Sequence, residues 1–205
     1  MITTKEKILR QALALFNTHG ITNVSLRAIA DAAEISVGNL QYHFKKRDDI
    51  VEGLYMRIVE RIDRILYLQT DNLLSSFLEV SGLIMNIFFE HRFFFLDMTT
   101  IIRSNPGIKH HYAALSKRRA QSFMAIVDLL IDNGILRQPL LADEYAYLYE
   151  RTEIISNFWF SSVLIQSKEL SKDAIDRFSL LISQSIYPYL TDSAKEDYRR
   201  NISTG

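Results

Sequence analysis

The chain has 205 residues, 48% apolar and 23% charged, with 24 basic and 24 acidic side chains and no cysteine. That apolar share suffices for a packed core and excludes whole-chain disorder, while the missing cysteine excludes disulfides, zinc–thiolate sites and thiol nucleophiles. Seven glycines and three prolines leave little turn chemistry for a many-stranded fold or a glycine-rich phosphate loop, and zero net charge confines any nucleic-acid binding to a local patch.

Helical periodicity then runs the length of the chain. Ile8, Leu9, Ala12, Leu13 and Phe16 share one face of a first helix, capped by Thr3 or Thr4 and stopped at His19-Gly20. Ser25 caps a second helix carrying Leu26, Ile29, Ala30 and Ala33, and after Glu34-Ile35 a second serine, Ser36, caps a third that runs to about His43. A longer helix is predicted from Asp48 toward Leu68, another from Asn72 to Glu90, and a third from Phe93 to Arg103, ended by Ser104-Asn105-Pro106-Gly107. Lys109 to Asp132, Asp143 to Gln166 and Lys172 to Tyr187 complete about nine helices, and the polar tail after Thr191 is expected to fray. The fold class is all-α: a three-helix N-terminal head over 1–47 and a larger helical domain over 48–205. No signal peptide or uninterrupted apolar span is present, so a soluble, cytoplasmic chain without a membrane partner is expected.

A short helix, a tight turn and a second short helix, braced by a longer one, form a helix-turn-helix pattern. In that arrangement the second helix of the pair enters the major groove. Here it begins with Val37, Gly38 and Asn39, followed by Gln41, Tyr42 and His43. Gly38 allows close backbone approach, and Asn39 and Gln41 each carry the donor and acceptor that match adenine N6 and N7. Lys45, Lys46 and Arg47 form the densest positive run in the chain, although net charge over residues 1–49 is only +2.

The string from Val24 to Arg47 (VSLRAIADAAEISVGNLQYHFKKR), with the Phe16…Gly20 helix end before it, closely resembles the TetR family of bacterial transcriptional regulators. The resemblance is specific over about residues 4–50 and architectural beyond them. It implies a DNA-contacting set of Ser25, Arg27, Ser36, Val37, Gly38, Asn39, Gln41, Tyr42, His43, Lys46 and Arg47. The chain departs from the family pattern at Glu34, where glycine is usual, at Gln41, where tyrosine is usual, and at Arg47, where lysine is usual. Either Tyr42 replaces the missing tyrosine–phosphate contact or Gln41 reads a base.

By the same resemblance, the region after residue 48 senses a small molecule and dimerises. Five phenylalanines between 88 and 95 exceed what one helix face buries, and the expected pocket comprises Phe89, Glu90, Phe93, Phe94, Asp97, Tyr112, Phe123, Asn157 and Trp159. Its mixed charges leave open a lipophilic cation or an acidic ligand. Dimer contacts are expected on the last two predicted helices, at Tyr145, Leu148, Thr152, Ile155, Phe178, Leu181, Ile182 and Ile186. Adjacent His110 and His111 point about 100° apart on a helix, and no histidine has another at i+3 or i+4, so no metal or other cofactor is expected. No nucleophile–base pair is readable, which argues against an enzyme. The implied protein is a homodimeric regulator, a repressor that a small-molecule effector releases from a palindromic double-stranded operator.

Overall fold

The computed structural model describes residues 2–66, 73–166 and 169–203. Among them are eleven α-helices and one 3₁₀ turn, with no strand beyond an isolated bridge between Leu136 and Leu190. The helices are α1 (Thr4–His19), α2 (Leu26–Ala32), α3 (Val37–His43), α4 (Arg47–Leu66), α5 (Leu73–Glu90), α6 (Arg92–Leu96), α7 (Met98–Ser104), α8 (Pro106–Asp132), α9 (Glu144–Ile165), α10 (Lys172–Gln184) and α11 (Asp192–Ser203). The expected helix ends at Leu68 and Asn72 lie outside the described residues.

The count exceeds nine for two physical reasons. Phe93, Phe94 and Phe95 are all buried, which no single helix face allows, and the backbone breaks at Asp97 to give α6 and α7. The tail after Thr191 is not frayed but forms α11. Thr191 accepts the Ala194 N–H at 3.3 Å, and Ala194 and Tyr198, one turn apart, are buried. Pro106 opens α8, where its missing N–H costs nothing, and Asn105 Oδ1 accepts the Ile108 N–H at 3.0 Å.

Contacts divide the chain into two compact units, Met1–Asp63 with Ile87–His110, and Arg64–Asn86 with His111–Gly205. The first unit is built on Ile8, Leu9, Ala12, Phe16, Ile29, Leu40, Phe44, Ile50 and Leu54, all buried. Gly53 lets α4 lie close to the rest of that core: a Cβ there would meet Leu9 Cδ2 at 3.1 Å and Phe44 Cε1 at 3.5 Å. The second unit is centred on Leu74, Val127, Leu130, Leu136, Tyr145, Leu148, Ile186, Leu190, Ala194 and Tyr198.

Candidate nucleic-acid interface

Local hydrogen bonding builds the head. Thr3 Oγ1 accepts the Glu6 N–H (3.2 Å), Ser25 Oγ the Ala28 N–H (3.1 Å) and Ser36 Oγ the Asn39 N–H (3.1 Å), so each short helix has a side-chain N-cap. Between α2 and α3 the Ile35 N–H donates to the Ala30 carbonyl and the Glu34 N–H to the Asp31 carbonyl, both at 3.0 Å. That pair of bonds is a Schellman motif, whose C′ residue takes a left-handed conformation. Glu34 occupies it at φ 52°, which explains why a glycine would be the usual choice there. The same motif closes α8 with Gly134 at φ 68°. The Glu34 carboxylate is not left facing outward alone, since Lys7 Nζ donates to it at 2.9 Å and this hydrogen bond holds its pKa below the usual carboxylate value.

On α3, Leu40 and the C-capping Phe44 point into the core. The opposite face, with Gly38, Asn39, Gln41 and Tyr42, is exposed, as are Lys45 and Lys46 just beyond the helix, and Val37 and His43 are half-buried. Tyr42 is 85% exposed and stands edge-on to His43 with ring centroids 5.2 Å apart. A Cβ added at Gly38 would meet only Ser36 Oγ, at 4.0 Å, so this backbone is open to a close partner. Ser25, Arg27 and Ser36 are exposed as well.

Arg47 is placed differently from the expectation. Its Nη1 donates to the carbonyls of Ile21 (3.0 Å), Thr22 (3.4 Å) and Val24 (3.5 Å), and its Nε is buried. The guanidinium therefore braces the loop between α1 and α2. Sequence reading missed this because a basic run carries no sign of which cation turns inward.

The expected pocket residues fall in both units. In the first, Phe93 packs on Phe16 (centroids 5.4 Å), Phe94 stacks on Tyr55 (5.3 Å), and the Glu90 carboxylate pairs with Arg61, whose hydrogen bond lowers the Glu90 pKa. Phe89 lies beneath the Arg92 guanidinium, and Asp97 joins α6 to α7. In the second, Asn157 Nδ2 donates to Tyr112 Oη (2.9 Å), Phe123 contacts Tyr149 (5.3 Å), and Trp159 is buried on Phe160 and Phe178. The structure adds Ser116, whose Oγ donates to Glu153 Oε1 at 2.7 Å, and Tyr149, whose pKa burial pushes up to about 12. Tyr112–Ser116 on α8 and Tyr149–Glu153–Asn157 on α9 form a half-buried polar seam. Their i, i+4 spacing is the sequence signal that could have found it.

The expected dimer stripe divides between core and surface. Tyr145, Leu148 and Ile186 belong to the core of their own unit, and Thr152, Ile155, Phe178 and Ile182 are half-buried. Only Leu181, 46% exposed, is fully on the surface. The exposed apolar face of α9 instead carries Tyr147, Ile154, Phe158 and Ile165, and on α10 Leu180 joins Leu181. These α9 positions fall within a narrow arc at 100° per residue. α9 carries apolar residues on both its buried and its exposed side, so periodicity marked two faces and packing alone selected the buried one.

Among the described residues, no group of three or more acidic or histidine side chains could hold a metal ion, and no helix is long and apolar enough to cross a membrane.

Two family models match the chain. One, described as bacterial regulatory proteins of the tetR family, matches residues 8–54, and the other, described as bacterial transcriptional repressor, matches residues 57–198. Over 72 residues the chain is 32% identical to a Bacillus subtilis (strain 168) protein described as a probable HTH-type transcriptional regulator, YttP. That match spans 35% of this chain and 35% of the relative's length. A TetR-family regulator from Marinobacter aquaeolei VT8 superposes with TM-score 0.83 at 24% identity, covering 95% of this chain and 94% of that one. A Saccharomonospora viridis protein solved with choline gives TM-score 0.74 at 20% identity over 91% of this chain and 96% of that one. At these identities the two superpositions establish the fold.

Proposed function

The chain belongs to the TetR family of bacterial transcriptional regulators, a non-enzymatic class of DNA-binding factors, and we propose that it is a homodimeric repressor released from a palindromic operator by a small-molecule effector. Residues 1–47 bind DNA in this reading, and residues 48–205 bind the effector and pair two subunits. One observation carries the DNA assignment. The outer face of α3 is exposed and polar over Asn39, Gln41 and Tyr42, on a helix fixed by the Ser36 cap.

Asn39 and Gln41 read base edges, because their amides match adenine N6 and N7. Ser25, Arg27, Ser36, Tyr42, His43 and Lys46 hold phosphates and sugars, and Val37 and Gly38 allow close approach. The exposed apolar residues of α9 and α10 supply the partner face, since two helices per subunit complete a four-helix bundle across a two-fold axis. Two heads on that axis require half-sites about 34–36 Å apart or a multiple of that. The choline in the Saccharomonospora viridis protein supports a small-molecule effector. The seam of Tyr112, Tyr149, Glu153 and Asn157 offers hydroxyl, amide and carboxylate partners for its polar end.

Selection of duplexes from a random pool, followed by gel shift, tests the reading. Wild type should enrich a palindrome, and Asn39→Ala should lower its affinity by about 1–3 kcal/mol while leaving random-DNA binding unchanged. Lys46→Ala should weaken both alike and flatten the salt dependence. Ile154→Glu should give folded monomers by light scattering that no longer bind the palindrome. Failure of wild type to enrich any sequence would overturn the assignment.

A further inference from the structure

The amide of Asn17, near the end of α1, is used on both sides. Its Nδ2 donates to the Glu90 carbonyl at 2.7 Å, and its Oδ1 accepts the Phe93 N–H at 3.1 Å. Those two backbone groups flank the turn at His91, where α5 ends and α6 begins. A primary amide carries a donor and an acceptor in one plane, so it can bind a C=O and an N–H at once; an ionised Asp or a Leu there could not make both bonds.

The surrounding contacts converge on the same corner. Phe16, next to Asn17, packs on Phe93, Tyr55 of α4 stacks on Phe94, and Arg61 of α4 pairs with Glu90. His91 is itself buried, with Nδ1 2.9 Å from the Ile87 carbonyl, so its ring fixes the turn that Asn17 grips. The head and this corner belong to one compact unit. Asn17 lies off the exposed face of α3, and its two bonds leave the three-helix head entirely.

From this geometry we infer that Asn17 is a positioning residue that fastens the reading head to the 90–93 corner. It thereby sets which half-site spacing the dimer accepts, and it passes any change in the His91 turn to α1. The inference rests on the dimeric DNA-binding reading above. It makes a distinction that reading does not: Asn17 governs spacing, and α3 governs sequence.

The test uses the full chain and the palindrome that wild type enriches, re-made as a panel with the half-sites moved apart or together one base pair at a time. Wild type should prefer one spacing sharply. Asn17→Ala should keep the half-site sequence preference but lose most of its spacing preference, and the Phe93 amide should exchange hydrogen about 10-fold faster, the size of one lost hydrogen bond. Asn17→Asp, which keeps the acceptor for Phe93 and loses the donor to Glu90, should fall between the two. It carries the test if the alanine variant does not fold. A wild-type spacing profile in both variants would overturn the fastening role and leave the proposed function standing. Loss of half-site sequence preference at unchanged melting temperature would also overturn it, by making Asn17 part of the reading face. If wild type enriches no DNA, both fall.

Discussion

The head and the α9–α10 pair expose opposite kinds of surface. On α3 the buried side is apolar, with Leu40, and the exposed side offers Asn39, Gln41 and Tyr42. On α9 large apolar residues lie on both sides, with Leu148 and Trp159 inside and Ile154 and Phe158 outside. An exposed polar face with paired donors and acceptors suits a base edge, whereas an exposed apolar face suits contact with another apolar surface. The two regions differ in how each is held as well. The start of each head helix is set by a cap within three residues, whereas the buried side of α9 is set by packing with residues far along the chain.

That contrast can be broken most sharply on α9 itself. Trp159→Ala should destabilise the fold by about 3–5 kcal/mol, and Phe158→Ala, one residue away, by less than about 1 kcal/mol while weakening self-association. Chemical denaturation of both at a fixed low concentration checks it, and equal losses would mean that α9 has no distinct outer face. In the head, Ser36→Ala should cost about 1 kcal/mol, the usual loss for a serine N-cap, and should weaken binding to the palindrome that wild type enriches, because Ser36 caps the helix whose exposed face is proposed to read bases.

The third prediction concerns pH. Burial is the main reason that His91 has a pKa below the ordinary histidine value. The unfolded chain therefore takes up a proton at a pH where the folded chain does not. The stability this confers is complete above the unfolded value of about 6.5 and is lost as the pH falls below it toward the folded value. Urea midpoints measured from pH 7.5 down to 5 should drop in wild type and drop less in His91→Gln. The smallest effect is expected at the turn of the head. Glu34→Gly relieves a positive φ at the loss of an exposed ion pair with Lys7, and should raise the melting temperature by about 1–3 °C. A lower melting temperature would mean that the Lys7 contact outweighs the backbone strain.

The difference in how the two regions are held also explains what was legible. Thr3, Ser25 and Ser36 act within three residues of themselves, so the N-terminus of each head helix could be placed from the sequence, and with it the outer face of α3. Arg47 could not, because its three carbonyl partners lie 23 to 26 residues back. The same holds for Tyr145 and Leu148, whose burial depends on α8 and on residues 186–198. α11 was hidden for a related reason: only two of its described residues, Ala194 and Tyr198, are buried, too few to stand out in a polar segment.

The strap between the end of α8 and residues 189–191 has a consequence for synthesis. The Arg137 N–H donates to the Tyr189 carbonyl, the Thr191 N–H to the Ile135 carbonyl, and Thr191 Oγ1 to the Gly134 carbonyl at 2.7 Å. Ile186, Leu190, Ala194 and Tyr198 then complete the hydrophobic cluster that Leu130 and Leu136 began. On the ribosome, the head's helices can form as soon as they emerge, whereas the second unit cannot close its core until residue 198 has been made. For that interval Leu130, Leu136, Tyr145 and Leu148 stay uncovered, and a ribosome stalled before residue 186 holds a nascent chain that chaperones should recognise.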